Sequence, residues 1–168
     1  MVDFIAGYWP VVALSALTLL MLLAVRLLFG EGRPPYEKRD ALLSNDARRF
    51  YSALREAVGE DGVVLSMVRL ADLIRVTPGT SKRQTWQNRI NAKNVDFVVC
   101  DGTTFEPRLV VEIDRRRRKR EALPERDRFV ENALGAAGLP LLRKPPEPTY
   151  DIATLRKAID ERLKKSAA

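Results

Sequence analysis

The chain has no histidine and a single cysteine, Cys100. Without imidazole, Ser-His-Asp and Cys-His catalysis, His-ligated zinc and imidazole acid–base chemistry are all excluded. One thiol cannot close an internal disulfide, which suits a reducing compartment, and it cannot anchor a structural zinc site. Any catalysis here would rest on carboxylates, amines and hydroxyls, with or without a hard, oxygen-loving metal. Cys100, set in an apolar run, reads as a small buried strand residue. Charge is also scarce at the start. The first 30 residues carry only Asp3 and Arg26, which cancel, so the net +7 belongs to the chain from Glu31 onward. Six of those charges are Arg115, Arg116, Arg117, Arg118, Lys119 and Arg120; without them the remainder is +1. Basicity this local points to a polyanion partner, either nucleic acid or an anionic lipid surface.

Val11 to Phe29 is apolar apart from Ser15, Thr18 and Arg26. At ~1.5 Å per residue it makes ~28 Å of helix, enough for a hydrocarbon core of ~30 Å. Pro10 suits a first helical position, Tyr8 and Trp9 suit an interface, and Arg26 can snorkel. The segment lacks the basic n-region and the small-x-small site before Gly30 that a cleaved signal peptide would carry, and a buried core helix would need a polar face. Asp3 precedes the segment, whereas Arg26, Arg33, Lys38 and Arg39 lie at or beyond its far end. The positive-inside bias then predicts a single pass through the inner membrane, with the N-terminus outside and the C-terminal domain in the cytoplasm. Residues 1–30 form this anchor, residues 31–41, with Gly32, Pro34 and Pro35, read as a linker, and 42–168 form the soluble domain.

Within 42–168, Ser44 is placed to cap a helix with Ala47, Phe50, Tyr51, Leu54 and Val58 at helical spacing. Val63 to Val68 reads as a strand, Leu70 to Arg75 as a short helix, and Ser81 to Asn94 as a helix or a long loop. Val95 to Cys100 and Leu109 to Asp114 look like a hairpin pair, separated by Asp101-Gly102 and Pro107. Pro124 is expected to open a helix that Gly138 closes. Leu139 to Leu142 reads as a strand, and Thr149 as the cap of a last helix carrying Ile152, Leu155, Ile159 and Leu163. This order describes an α/β domain with a mixed sheet between helices.

Glu112 and Asp114 lie two apart on one strand and leave the same face. Asp96 lies on the preceding strand and can approach both if the strands pair. Three converging carboxylates repel unless a cation neutralises them, and Mg²⁺ or Mn²⁺ is the usual solution. The bland alternative is a solvated network in which these acids pair with the neighbouring arginines. The run Arg115–Arg120 follows Asp114 directly, where it could hold a phosphate backbone, cover anionic lipid, or form an ordinary solvated loop. Trp86, beside Arg83, Gln84 and Arg89, fits either core packing or stacking on a base.

Val95 to Asp101, Leu109 to Asp114, Arg126-Asp127 and Ala137 to Arg143, with Leu43 to Leu54 and Val68 to Asp72, resemble a bacterial family known only as domain of unknown function 2726. Its members resemble the PD-(D/E)XK, or restriction-endonuclease-like, nucleases, and often follow an N-terminal transmembrane helix. The resemblance implies a restriction-endonuclease-like mixed sheet flanked by helices, with Asp96 and Glu112 at the two acidic positions. Asp114 stands where the superfamily usually has Lys and the family has Asp. Asp127 and Arg143 match recurrent positions without an assigned role. Two departures stand out: Arg118 replaces a usual His, and Ala47, beside Asp46, replaces a usual Glu.

The expectation is a membrane-tethered, nuclease-like domain that binds nucleic acid through Arg115–Arg120. Asp96, Glu112 and Asp114 would ligate Mg²⁺ or Mn²⁺ for phosphodiester hydrolysis. The alternative is a catalytically inactive binding module for nucleic acid or anionic lipid, with the same fold.

Overall fold

The computed structural model describes the backbone of residues 2–29, 34–114 and 125–167, with side chains for 8–27, 34–114 and 128–166. The cationic run 115–120, the start of the expected linker and Pro124 lie outside the described residues. The chain divides into two compact units between Asp40 and Ala41.

The first unit holds α1, Val2–Phe29. Its stretch Tyr8–Leu27 has a mean hydropathy of 2.2 and no buried residue, so the helix is long and apolar enough to cross a membrane. Ser15 Oγ donates to the Val11 carbonyl at 2.7 Å, and Thr18 Oγ1 to the Ser15 carbonyl at 2.9 Å. Both hydroxyls are thereby satisfied within the helix, as an apolar solvent requires. One expectation is corrected. Pro10 is interior rather than the first helical residue, because Phe4, Ile5 and Ala6 extend the helical run backwards. The helix forgoes one amide hydrogen bond there.

The second unit begins with α2, Asn45–Val58. Ser44 is extended and its Oγ accepts the Ala47 amide at 3.3 Å, so the expected cap forms. Strands β1 (Gly62–Arg69), β2 (Asn94–Asp101), β3 (Pro107–Ile113) and β4 (Leu141–Lys144) make one sheet in the order β1-β2-β3-β4. The first two pairings are antiparallel and the third is parallel, giving a mixed sheet. Between the strands lie α3 (Leu70–Leu73), α4 (Arg83–Asn91) and α5 (Glu125–Ala136), and α6 (Ile152–Ala167) follows β4. The doubtful stretch after Ser81 is therefore helical.

Side-chain alternation sends the sheet's apolar residues into two cores. Phe97, Val99, Leu109, Val111 and Leu142 meet α2 and α6 through Phe50, Leu54, Leu155 and Ile159. Val98, Cys100 and Val110 meet α3, α4 and α5 through Leu70, Ile90, Val130 and Leu134. Gly62 lets β1 approach the end of α2 closely, since a Cβ would lie 2.4 Å from Val58 Cγ1. Cys100 is buried, as expected. The cap of α6 is a second correction. Asp151, not Thr149, accepts the Thr154 amide, at 2.7 Å, and hydrogen bonds from the Thr154 side chain and then its amide hold the Asp151 carboxyl below its usual range. A carboxylate at that position also complements the helix dipole.

At the β2–β3 turn Asp101 Oδ1 accepts the amides of Thr104 at 2.9 Å and Thr103 at 3.0 Å. These bonds lower the Asp101 carboxyl, with Thr104 the larger cause. A depressed acid stabilises the fold above its unfolded pKa of ~3.9, and that stability is lost as pH falls through the folded value. Asp101→Asn is expected to shallow the acid limb of the unfolding curve below about pH 4, read by acid titration of circular dichroism.

Candidate functional site

Asp96 sits where the sheet ladder breaks on both sides. The β1–β2 pairing steps from Ser66↔Phe97 to Val68↔Val95, passing over Met67 and Asp96. Met67 has φ 57, a left-handed backbone that non-glycine residues seldom adopt. On the other side, β2–β3 pairing stops at Phe97↔Val111. In place of a main-chain carbonyl, Asp96 Oδ2 accepts the Ile113 amide at 2.9 Å. Ile113 lies between Glu112 and Asp114, so the structure does bring Asp96 to the end of β3 that carries the other two acids.

Glu112 is held by a different partner. Parallel pairing sets Glu112 beside Arg143 of β4. Arg143 Nε donates to Glu112 Oε2 at 3.3 Å, and its Nη1 donates to Glu131 Oε2 of α5 at 2.7 Å. The Arg143 and Glu112 side chains are only 21% and 22% exposed, which makes their contact stronger than a surface pair. Desolvation, the largest single influence, pulls the Arg143 guanidinium down. The hydrogen bonds and attraction of Glu131 and Glu112 together outweigh it and raise it from its ordinary value. Arg143 is thus a fixed cation at every working pH. Beyond β3, the Asp114 amide donates to the Lys144 carbonyl at 2.8 Å, extending the β3–β4 ladder past Ile113.

The donor chemistry of Asp96, Glu112 and Asp114, carboxylate oxygens alone, fits a hard cation such as Mg²⁺ or Mn²⁺. The arrangement is less open to one. Asp96 spends an oxygen on the Ile113 amide, Glu112 is neutralised by Arg143, and among the described residues no three His, Cys, Asp or Glu side chains are grouped to hold a metal ion. A divalent ion at Glu112 would compete with a guanidinium already seated there.

Sequence reasoning left Arg143 without a role and did not single out Glu131. A basic residue directly after the β4 apolar pair Leu141-Leu142 could have flagged Arg143, because parallel pairing sets it beside Glu112 on the same sheet face. Trp86 is 43% exposed, so it is not a core residue.

A model of the family described as proteins of unknown function, DUF2726, matches residues 39–163, and the chain belongs to that family. No curated protein and no solved structure matches the chain.

Proposed function

We propose that this member of the DUF2726 family is a nuclease-like domain of the PD-(D/E)XK kind that binds nucleic acid beside a membrane. In this reading α1 is a single-pass anchor in the inner membrane with its N-terminus outside, and the second unit faces the cytoplasm. Arg115 to Arg120 contact phosphates, each neutralised phosphate releasing counterions. One observation carries the reading. The Asp96 carboxylate rests on the main chain between Glu112 and Asp114, and the chain passes from Asp114 straight into the six-residue cationic run. Acidic side chains held at a strand end next to a polycation can address the two sides of one phosphodiester. The left-handed Met67 facing Asp96 supports it, because backbone strain of this kind gathers at functional sites.

The same observation favours a second reading, hydrolysis. Asp96, Glu112 and Asp114 would hold Mg²⁺ or Mn²⁺, and such an ion supplies an acidified water and neutralises phosphate charge. Arg143 would have to yield Glu112, and its second partner, Glu131, gives it somewhere to stay. The test incubates the full chain in detergent with labelled single- and double-stranded DNA and RNA, with and without each ion. Cleavage that needs the ion and drops at least ~100-fold in Glu112→Ala supports hydrolysis, on the scale of losing a catalytic group. Activity that survives Glu112→Ala sinks it. Retained binding without cleavage leaves the domain a binding module.

A further inference from the structure

A second feature on the face packed by α3, α4 and α5 belongs to neither carboxylate strand. A groove of about 650 Å³ opens between the segment after α3, α4 and α5. Volumes of this order accommodate small organic ligands. Its walls carry Trp86, Phe129 and Ile90 together with Arg75, Arg89 and Arg128, and among the described residues no carboxylate lines it. The Arg89 guanidinium carbon lies 4.2 Å from the Phe129 ring centre and 5.0 Å from that of Trp86, so one cation bridges two rings from different helices. Trp86 remains 43% exposed despite this contact. A large indole left half in solvent, at the mouth of an apolar groove with three guanidiniums and, among the described residues, no acid, is complementary to a flat, uncharged ring attached to an anion.

We infer that this groove is a base-stacking subsite for single-stranded nucleic acid, with Trp86 as the stacking platform and Arg75 and Arg128 taking the flanking phosphates. The inference rests on the nucleic-acid reading above and adds to it a preference for unpaired bases. Arg89 fixes the indole through its shared contact with Phe129, and Thr77, Thr80 and Asn132 on the rim offer hydrogen bonds to base edges. A duplex cannot use such a groove without surrendering a base, whereas a single strand presents one at no pairing cost. An acyl chain would satisfy the apolar floor but would leave the guanidiniums without a purpose.

The test uses the full chain in amphipol carrying Trp9→Phe, so that Trp86 is the sole tryptophan and can be excited selectively over the tyrosines. It is titrated with an oligothymidylate of about twelve nucleotides, within the span of single-strand sites, and with an abasic oligomer of equal length. Quenching by the oligothymidylate, with binding of the abasic strand weaker, supports the subsite. Anisotropy of labelled strands should then find Trp86→Ala weakened ~5- to 150-fold on the oligothymidylate, little changed on the abasic strand, and largely rescued in Trp86→Phe. Equal affinity for the two strands, or no loss in Trp86→Ala, overturns the subsite and leaves the nucleic-acid reading standing. If neither strand binds at low salt, that broader reading fails and takes the subsite with it. A Trp86 emission shift produced by anionic phosphatidylglycerol vesicles and not displaced by the oligothymidylate would assign the groove to lipid and overturn the proposal.

Discussion

Replacing Arg115, Arg116, Arg117, Arg118, Lys119 and Arg120 with glutamine is expected to flatten the salt dependence of nucleic-acid binding. Each contacted phosphate on duplex DNA contributes about −0.9 to the slope of log affinity against log salt, so six contacts give a slope near −5. The unmodified chain should lose roughly 10³ in affinity between about 50 and 200 mM salt, and the six-glutamine chain should lose little over the same range. Anisotropy of a labelled duplex with the full chain in detergent reads both slopes. Lys119 and the arginines differ in geometry but count alike here, because the slope reports charge rather than bidentate fit. An unchanged slope removes the run from the interface. A parallel titration with anionic vesicles separates the partners: each cation near an anionic surface contributes ~1 kcal/mol, so loss of vesicle binding with nucleic-acid binding intact would make lipid the ligand.

The second large effect concerns Arg143. Arg143→Met keeps most of the side-chain volume and removes the guanidinium from Glu112 and Glu131. A hydrogen bond to a charged group is worth about 1.5–3 kcal/mol, and the half-exposed Glu131 contact adds less than the sheltered Glu112 contact, so a destabilisation in that range is expected. Urea unfolding followed by Trp86 emission in the Trp9→Phe background measures it. Glu112→Gln in the same background closes a double-mutant cycle, and a coupling below ~0.5 kcal/mol would show that the contact contributes nothing. The substitution also removes the cation that competes with a metal. If the three acids form a divalent site, Mn²⁺ should raise the urea midpoint of Arg143→Met more than that of the native chain, since a ligand stabilises by its occupancy of the folded state. No difference between the two would argue against a metal at Glu112.

Much of the second unit can be read along the chain because its signals are local. Ser44 caps α2, the Val-rich runs on either side of Asp101-Gly102 pair as antiparallel neighbours, and Gly138 ends α5 with φ 70. Helix α4 could not be separated from a loop, since Arg83–Asn91 offers only Trp86 and Ile90 as apolar residues and Trp86 faces a groove. The start of α6 depends on a distant contact. Tyr150 packs against Phe50 at 4.9 Å, and the Tyr150 hydroxyl accepts the Glu147 amide at 2.9 Å, so the chain enters the helix only after this ring is placed. That is why Asp151 caps it. At the candidate site, the spacing of Glu112 and Asp114 and their nearness to Asp96 were readable. The partnership of Arg143 with Glu112 was not, because it arises from the parallel β3–β4 register, which joins residues 31 positions apart. Glu131 escaped notice for a related reason: it matters only once α5 has folded back over that edge of the sheet.

Cys100 sits in β2, with strands on both sides, and is 2% exposed. Burial also pushes its thiol above the ordinary value, which suppresses the reactive thiolate. As the chain's single sulfhydryl, it is a built-in reporter of opening: a maleimide or disulfide reagent can reach it only after the middle of the sheet has come apart. Its labelling rate therefore measures whole-unit unfolding under native conditions, without any engineered probe and without interference from the helical signal of α1.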